Sequence, residues 1–311
     1  MIAEPLVQVP CPSCGADVPT RVAHEGALGI ARCGVCRLLY VTPRLAHPQA
    51  HYHGEREAVL RKYGPILRGE RGHNRDPNYE QELAVLRRHK PRGRLLDVGT
   101  HCGFFLRKAR GMDWELTGVE PSPIGAQLAR EFYGLDVKTA TLQGAQFPNG
   151  CFDLVTMVDV FEHVGEPNEV LGEVRRVLRE DGLLFVKVPN GRYNLFKYRL
   201  FRRGLGLRQV EIFDAKEHVV HYTAETLRRV LEGGGFQIRF AFVPRPIQDG
   251  AWWKRALRSV AYRLAQAQRA LGGGFGELAT DIAVMAAKAP DHGTLPANRS
   301  SAATRRNGEL V

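Results

Sequence analysis

Short apolar runs alternate with segments of helical periodicity between residues 94 and 190. The apolar runs have the length and composition of strands that are buried on both faces of a sheet. The predicted strands are 95–98, 115–119, 136–138, 152–158 and 183–188, and the predicted helices between them are 104–110, 123–133 and 168–178. Strand and helix in alternation predict a parallel sheet with helices on both faces.

The pattern continues on both sides of this region and completes a sheet of seven strands. A helix is predicted at 78–89, ahead of the first strand, and another at 223–235, which Thr223 can cap. Thr226 stands where a full capping box needs an acid or an amide, so a simple cap is predicted. Strands at 236–243 and 282–286 bring the total to seven. We therefore predict an α/β fold with a doubly wound, mostly parallel, Rossmann-like sheet.

Two basic segments with interleaved aromatic residues are predicted to lie outside the sheet. Residues 191–217 are expected to form a lid, with an amphipathic helix whose aromatic side chains face inward. Residues 252–271 predict an inserted amphipathic helix, with an apolar face that includes Leu257, Val260 and Leu264. A basic helix flanked by tryptophan is typical of peripheral membrane contact, but packing on the sheet or on a partner is the preferred interpretation.

The first predicted strand runs into a turn that contains glycine and then into a helix. Gly99 and Gly103 allow the backbone to bend sharply and a ligand to approach closely, and the helix that follows directs its free N–H groups into the turn. The second strand ends in Glu120, about twenty residues further on. A strand, a glycine turn, a helix, a strand and an acid indicate the nucleotide-binding half of an open α/β sheet, in which the acid is placed for ribose hydroxyls.

Four of the six cysteines form two pairs near the N-terminus. Cys11 and Cys14 form one C-x₂-C pair and Cys33 and Cys36 form the other, with eighteen residues between the pairs. Each pair can direct two thiolates at one point, so the pairs predict a closed tetrahedral Zn²⁺ site with a structural role. Two disulfides are the alternative, which a cytosolic location disfavours. We expect residues 1–44 to form a small zinc ribbon that gains its folding energy from the metal.

Composition predicts the remaining boundaries. Residues 45–90 are predicted to be a polar connector with glycine-marked loops that ends in the 78–89 helix, residues 91–289 to form the α/β domain, and residues 290–311 to be disordered. The N-terminus lacks the features of a signal peptide, and no apolar run approaches the ~20 residues of a membrane span, so a cytoplasmic location is expected. The net charge of +11 favours anionic partners without choosing among them.

Four ordered blocks of sequence resemble the class I S-adenosylmethionine (SAM)-dependent methyltransferases, in the branch whose members carry an N-terminal Cys₄ zinc ribbon. The blocks are 95–106, 118–122, 147–155 continuing into 159–164, and 217–223 leading to 235–236. The resemblance implies that Asp97, Gly99 and Gly103 surround the methionine part of SAM. It also implies that Glu120 takes both ribose hydroxyls.

The same resemblance implies further contacts of the cofactor. Leu142 would meet the adenine, and the stretch from Asp159 to His163 would border the methyl donor and the substrate. Relatives usually have glycine where this chain has His101 and often cysteine where it has Thr100, and both residues are expected to contact the cofactor. The side chain of His101 is expected either to narrow the SAM pocket or to contact the carboxylate of the methionine part.

Methyl transfer from a sulfonium is an in-line displacement, so the protein mainly supplies alignment and excludes water. A hydroxyl or acidic-carbon acceptor also needs a general base, and the ordinary pKa of histidine suits that task near neutral pH. The candidates are His163, after the fourth strand, and His218 and His221, after the fifth, because ligands bind at the carboxyl ends of strands in open sheets. A structural, hydrogen-bonded role is the alternative for each of them.

The predicted function is methyl transfer from SAM to a small-molecule or carrier-linked acceptor, such as a nucleotide sugar, a glycan or a secondary metabolite. Two alternatives stay open: an RNA methyltransferase that grips phosphates with the ribbon and the basic lid, and a non-catalytic SAM-binding adaptor. The ribbon has no dense basic and aromatic face, since its cations up to residue 40 are Arg21, Arg32 and Arg37, which argues against RNA. An NAD-dependent dehydrogenase is disfavoured because the G-x-G-x-x-G spacing is absent.

Overall fold

The N-terminal segment folds around a small antiparallel sheet. The computed structural model describes residues 4–48, 55–204, 211–247, 250–270 and 279–290. The strands of the N-terminal segment are β1 (Leu6–Val7), β2 (Pro19–Glu25), β3 (Leu28–Cys33), β4 (Leu39–Val41) and β5 (Arg44–Leu45). Strands β2, β3 and β4 are antiparallel neighbours, and β1 pairs with β5. A sheet of this size buries little core of its own and needs support from elsewhere.

Two helices follow, α1 (Arg56–Leu67) and α2 (Asp76–His89). The second confirms the helix predicted at 78–89, whereas the first occupies part of the predicted polar connector. Gly64 and Pro65 indicated a loop there, because both residues disfavour the interior of a helix. Ile66 and Leu67 are buried in a core shared with the following domain. This burial outweighs the unfavourable local propensity and corrects the prediction.

After α2 the chain alternates strand and helix as predicted. The elements are β6 (Gly93–Val98), α3 (Phe104–Ala109), β7 (Trp114–Glu120), α4 (Pro123–Tyr133), β8 (Asp136–Thr139), β9 (Phe152–Val158), α5 (Pro167–Val177), β10 (Leu178–Pro189), α6 (Gly191–Arg199), β11 (Val220–His221), α7 (Ala224–Gly233), β12 (Phe236–Phe242), α8 (Trp252–Ala270) and β13 (Asp281–Lys288). The central sheet has the order β12–β13–β10–β9–β6–β7–β8, in which β13 runs antiparallel to the direction that the other six strands share. The predicted seven-stranded, mostly parallel, Rossmann-like fold is confirmed.

The largest difference in an element boundary lies between α5 and β10. The sequence predicts a helix that continues to residue 178 and closes at Asp181 and Gly182, but β10 begins directly at Leu178. Leu178 already pairs with β9, and the register shifts before Leu183 pairs with it again. Asp181 and Gly182 therefore form an irregularity near the start of a strand.

The N-terminus of α7 carries a full capping box, although a simple cap was predicted. The Thr226 amide donates to Thr223 Oγ1 at 3.2 Å, and the Thr223 amide donates to Thr226 Oγ1 at 2.9 Å. The hydroxyl of Thr226 thus takes the part that an acid or an amide usually plays.

The N-terminal sheet is continuous in packing with the α/β domain. Strand β11 adds a fourth strand to it, with Val220 opposite Tyr40 and His221 opposite Leu39. The buried residues around the two cysteine pairs share one apolar core with residues of β9, β10 and α7. The α/β domain therefore supplies the support that the small sheet needs.

The turn ahead of β11 is held by a buried carboxylate from β2. Glu25 accepts backbone hydrogen bonds from Phe213 at 2.6 Å, from Ala215 at 2.9 Å and from Ile212. Helix α6 packs on the same sheet and contributes Tyr198 to its core. This turn and α6 belong to the segment that was predicted as a lid, and both contact the N-terminal sheet.

Helix α8 contacts the domain along one side, where Tyr262 and Ala265 pack against Val243 and Ala279. The described part of its predicted apolar face, Leu257, Val260 and Leu264, is exposed, so this face does not pack on the sheet, and packing on a partner stays a prediction. Its predicted last residue, 271, and residues 291–311 of the predicted tail lie outside the described residues. Within the ranges given above, no helix is both long and apolar enough to cross a bilayer.

Candidate functional site

A cleft of about 920 Å³ opens at the carboxyl ends of the central strands. Strand β7 follows on one side of β6 and β9 lies on the other side, so the direction in which the chain builds the sheet reverses between β6 and β9. Ligands bind at such a switch point in open α/β sheets. The predicted cofactor contacts that line the cleft are Asp97, Gly99, Thr100, His101, Glu120, Leu142 and Asp159.

Glu120, the last residue of β7, is oriented by two backbone amides. Its Oε2 accepts from the His101 amide and its Oε1 accepts from the Ser122 amide, both at 2.8 Å. Burial raises the pKa of Glu120, and the two hydrogen bonds oppose this effect. A carboxylate has about four lone-pair positions, so the group can still accept from hydroxyl donors of a ligand.

Asp97 lies at the end of β6 and is buried. The hydroxyl of Thr156 donates to Asp97 Oδ1 at 2.7 Å. Burial raises the pKa of Asp97 to about 7. A cationic group of a ligand in the cleft would favour the charged form of this carboxyl.

Both glycines in the turn between β6 and α3 have a positive φ, and Gly99 is the one that lines the cleft. Gly99 has φ +70°, and a Cβ there would lie 2.6 Å from the side chain of Val160 at the edge of the cleft. Gly103 has φ +78° and precedes α3 as its N-cap, outside the cleft lining. Thr100 lies between them, buried, and lines the cleft.

His101 adopts a left-handed backbone conformation, with φ 50°, which glycine takes without strain. Its ring packs edge-on against Tyr63, with 5.2 Å between the ring centroids. Burial lowers the pKa of His101 to about 4, so the ring is neutral at pH 7. The residue thus joins an aromatic cluster with its side chain while its amide orients Glu120.

One wall of the cleft comes from α1, from the loop after it and from the start of α2, and none of these was predicted to lie in the site. The lining residues from this wall include Lys62, Tyr63, His73, Arg75 and Tyr79. Lys62 and Tyr63 were not predicted at the site because helix α1 was not predicted. The helical spacing of the apolar residues Val59, Tyr63 and Ile66 is the signal that could have revealed this wall.

A buried lysine holds Asp159 at the floor of the cleft. Lys187 in β10 is 1% exposed, and its Nζ donates to the two carboxylate oxygens of Asp159 at 3.0 and 2.9 Å. Arg75 forms a second ion pair with Asp159. Glu82 Oε1 lies 3.9 Å from Lys187 Nζ, and burial raises the pKa of Glu82. Asp159 has φ 54°, so these cations hold a residue with a strained backbone.

His163 and His218 meet elsewhere along the cleft lining, with 4.6 Å between their ring centroids. His163 Nδ1 lies 3.0 Å from the Glu217 carbonyl oxygen, so that Nδ1–H donates to the carbonyl and Nε2 keeps its lone pair. Burial lowers the pKa of both histidines, that of His218 to about 2. Both rings are therefore neutral near pH 7.

Glu162 lies beside these two histidines, and neither of its carboxylate oxygens has a hydrogen-bond partner among the residues that the structure describes. It is 2% exposed, its Oε1 lies 4.0 Å from His218 Nε2, and burial raises its pKa to about 7. Polar atoms of Glu162, His163 and His218 lie within 4.8 Å of one another. A hydrogen-bond donor on a bound molecule would satisfy this buried group.

His221 does not line the cleft. It is buried in β11, and its ring contacts Phe213, so the structure does not support its prediction as a general base.

The segment 191–217, which was predicted as a lid, contributes fewer residues to the cleft lining than expected. Among its described residues, those that line the cleft are Asp214 and Glu217.

A family model described as a methyltransferase domain matches residues 71–239, which is more than half of the 311 residues. The chain belongs to this methyltransferase family. The glycine turn, the acid that ends β7 and the seven-stranded sheet agree with a SAM-dependent member, as the sequence resemblance indicated.

Two relatives and one solved structure illustrate how far this similarity extends. Demethylmenaquinone methyltransferase from Thermus thermophilus is 28% identical over 192 residues, which cover 53% of this chain and 84% of the relative. A ubiquinone biosynthesis O-methyltransferase from Glaesserella parasuis is 25% identical over 107 residues, which cover 31% of this chain and 45% of the relative, less than half of its length. The solved complex between the Haloferax volcanii Trm112 methyltransferase activator and a methyltransferase matches with a TM-score of 0.52 and 14% identity, over 78% of this chain and 96% of that chain, and shows the fold alone.

In this methyltransferase the two cysteine pairs converge. The Sγ atoms of Cys11 and Cys36 are 3.4 Å apart, and those of Cys14 and Cys33 are 3.6 Å apart. All four sulfurs lie within 4.8 Å of one another, and each cysteine is free of disulfides. Zn–S bonds of about 2.3 Å give a tetrahedron with edges of ~3.8 Å, so the cluster is compatible with a zinc ribbon.

Replacing Lys187 with methionine should destabilise the methyltransferase by about 3–5 kcal/mol, because it leaves the buried Glu82 without a cation and Asp159 with Arg75 alone. Denaturant unfolding followed by circular dichroism measures the loss. Lys288→Met is the matched control, since Lys288 pairs with the exposed Glu180 and its loss should cost less than about 1 kcal/mol. Equal losses in the two variants would contradict a structural role for the buried ion cluster.

Proposed function

We propose that this chain transfers a methyl group from SAM to an oxygen of a small-molecule or carrier-linked acceptor. The observation that carries the proposal is one cleft that joins two fixed carboxylates, Asp97 and Glu120, to two neutral histidines, His163 and His218. When bound, SAM supplies a methyl group on a sulfonium, and its carbon–sulfur bond breaks as the acceptor oxygen bonds to that carbon. The names of the two relatives, a demethylmenaquinone methyltransferase and a ubiquinone biosynthesis O-methyltransferase, support a small-molecule acceptor.

The residues around the glycine turn fit SAM. Glu120 is already oriented by two amides and would accept from the ribose hydroxyls. Gly99 allows the left-handed turn of the backbone at the edge of the cleft, and Leu142 offers an apolar surface to the adenine. Asp97 also lines the cleft and would gain its charge next to a cationic ligand.

His163 is the proposed general base. Its Nδ1–H donates to the Glu217 carbonyl, so its Nε2 is the atom that takes the proton of the acceptor hydroxyl. Burial keeps the ring neutral and therefore able to accept that proton. Glu162 and His218 would hold the acceptor beside it, since the buried carboxylate of Glu162 needs a donor.

Zn²⁺ at the four cysteines is proposed to be structural. A closed set of four thiolates offers no open coordination position, so the metal takes no part in methyl transfer.

Calorimetry should show that the full chain binds SAM and that Glu120→Gln weakens the affinity by at least about tenfold, because hydrogen bonds to a charged group contribute roughly 1.5–3 kcal/mol. Glu115→Gln on the same strand is the control, since Glu115 is exposed and lies outside the cleft lining. Absence of SAM binding to the wild type would overturn the proposed function.

A screen of metabolite pools with methyl-labelled SAM identifies the acceptor. On that acceptor, His163→Ala should lower kcat by about 10²–10³-fold with unchanged SAM affinity, while His89→Ala, outside the cleft lining, should be neutral. Since burial lowers the pKa of His163, the loss of rate that its protonation causes at acid pH should have its midpoint below ~6.5, the ordinary pKa of histidine. Full turnover by His163→Ala would exclude it as the base.

The same screen separates the alternatives considered for this chain. A SAM-binding adaptor would bind SAM and transfer no label to any pool. An RNA methyltransferase would label RNA, with an affinity for RNA that falls steeply with salt.

Elemental analysis of the purified chain should find about one zinc per molecule, as four thiolates in a closed set require. Cys33→Ser should lose most of this zinc and lower the thermal midpoint. Cys151→Ser is the control, because Cys151 lies outside the cysteine cluster. Equal zinc content in the two variants would place the metal elsewhere.

A further inference from the structure

Helix α8 presents apolar side chains to solvent. The exposed fractions are 74% for Trp252, 61% for Leu257, 55% for Val260 and 53% for Leu264. Residues 257, 260 and 264 are spaced by three and four positions, so they lie on one side of the helix. Within the described part of the chain, this group of large apolar side chains is not covered. We call it the α8 apolar face.

The opposite side of α8 is anchored to the domain. Ala265 is fully buried there, in a small core with Tyr262, Val243 and Ala279. The orientation of the helix is therefore fixed by packing, and its apolar face is directed outward by the fold. Exposing a contiguous apolar face costs solvation free energy and marks an interaction surface.

The charge of the helix indicates what this surface meets. Residues 252–270 include five cations, Lys254, Arg255, Arg258, Arg263 and Arg269, and no Asp or Glu. Residues 191–204, in α6 and the turn after it, include five more cations and again no acid. Arg258 is close enough to Tyr193 and Lys197 of α6 to shift their pKa values, so the two basic segments are neighbours. A basic helix with an apolar face and tryptophan at one end matches the surface of an anionic bilayer.

The ends of α8 connect to the cleft. Before the helix, Ile247 lines the cleft, and Arg258 Nη1 donates to its carbonyl oxygen at 2.9 Å. After the helix, Ala279 packs under α8 and Asp281 lines the cleft two residues later. A surface bound to α8 would therefore lie near the part of the cleft that Ile247 and Asp281 line.

We propose that the α8 apolar face docks this enzyme on an anionic membrane and that its acceptor is a hydroxyl-bearing molecule held in that membrane. This inference rests on the proposed function and adds the class of acceptor. The apolar side chains enter the boundary between headgroups and acyl chains, and the arginines around them pair with lipid phosphates.

Flotation of the full chain with vesicles tests the docking. Wild-type protein should float with phosphatidylglycerol-containing vesicles at least about tenfold more than with phosphatidylcholine vesicles, since each cation near an anionic surface contributes about 1 kcal/mol, roughly fivefold in affinity. Leu257→Gln/Leu264→Gln should lower flotation by about tenfold or more. Val18→Gln, which also replaces an exposed apolar side chain, should float like the wild type.

Several results would overturn the docking. These are no flotation of the wild type, equal flotation with the neutral vesicles, and unchanged flotation of the Leu257→Gln/Leu264→Gln variant. Light scattering after gel filtration that shows a dimer which this variant dissociates would assign the face to a second copy and overturn the proposal as well. All variants should bind SAM with wild-type affinity, so that failure of docking is distinct from failure of the proposed function.

The class of acceptor has its own test. Vesicles of a total bacterial lipid extract, incubated with methyl-labelled SAM and the wild-type chain, should yield label in the organic phase. The Leu257→Gln/Leu264→Gln variant should yield about tenfold less, and detergent should remove the difference between the two proteins, because it frees the acceptor from the bilayer. Label that stays in the aqueous phase would overturn a membrane-held acceptor and leave methyl transfer itself supported.

Discussion

The pairing of β4 with β11 is the contact on which the arrangement of the molecule depends. It involves only two residues of β11, Val220 and His221, yet it joins the cysteine-bearing sheet to the α/β domain. Backbone amides of the turn ahead of β11 donate hydrogen bonds to Glu25 of the small sheet. The same turn contains Asp214, Glu217 and His218, which line the cleft. His218 is thus positioned by the N-terminal sheet, whereas Asp97 and Glu120 are positioned by strands β6 and β7 of the large one.

The electrostatics of the cleft follow from burial. Asp97 and Glu162 have pKa values raised to about 7, and the histidines have lowered ones, because low-dielectric surroundings disfavour both kinds of charge. The carboxylate of Asp159 is held by ion pairs with Lys187 and Arg75. A cleft with acids that ionise easily next to a cation, and with histidines that stay neutral, suits a positively charged sulfonium together with a neutral hydroxyl.

The period of the hydrophobic pattern was sufficient to predict the central sheet, because each of its strands is a local apolar run. Contacts between distant residues were not predictable in this way. The β4–β11 pair joins residues about 180 positions apart, and nothing local to Val220 marks it as a strand of a second sheet. Lys187 is a single cation within an apolar strand, and its importance depends on Asp159 and Glu82, which come from other elements.

In the candidate site, too, the features that depend on local sequence were predictable and the contacts between distant residues were not. The sequence blocks identified the glycine turn and Glu120, since these residues act through backbone geometry and a short spacing. Helix α1 was not predicted, because Gly64 and Pro65 disfavour a helix locally. Burial of its apolar residues in the tertiary structure stabilises it. His101 was placed at the site, but its contact with Tyr63 depends on that missed helix.

The long separation within the β4–β11 pair has a consequence during synthesis. A ribosome adds about 5–20 residues per second, so β4 leaves the exit tunnel roughly ten to forty seconds before its partner strand. During that interval the backbone groups of β4 form an open sheet edge, which other chains can join. The N-terminal sheet of a nascent molecule is therefore the part most exposed to misassembly, and prompt binding of a metal at its cysteines would limit the time that it spends without fixed structure.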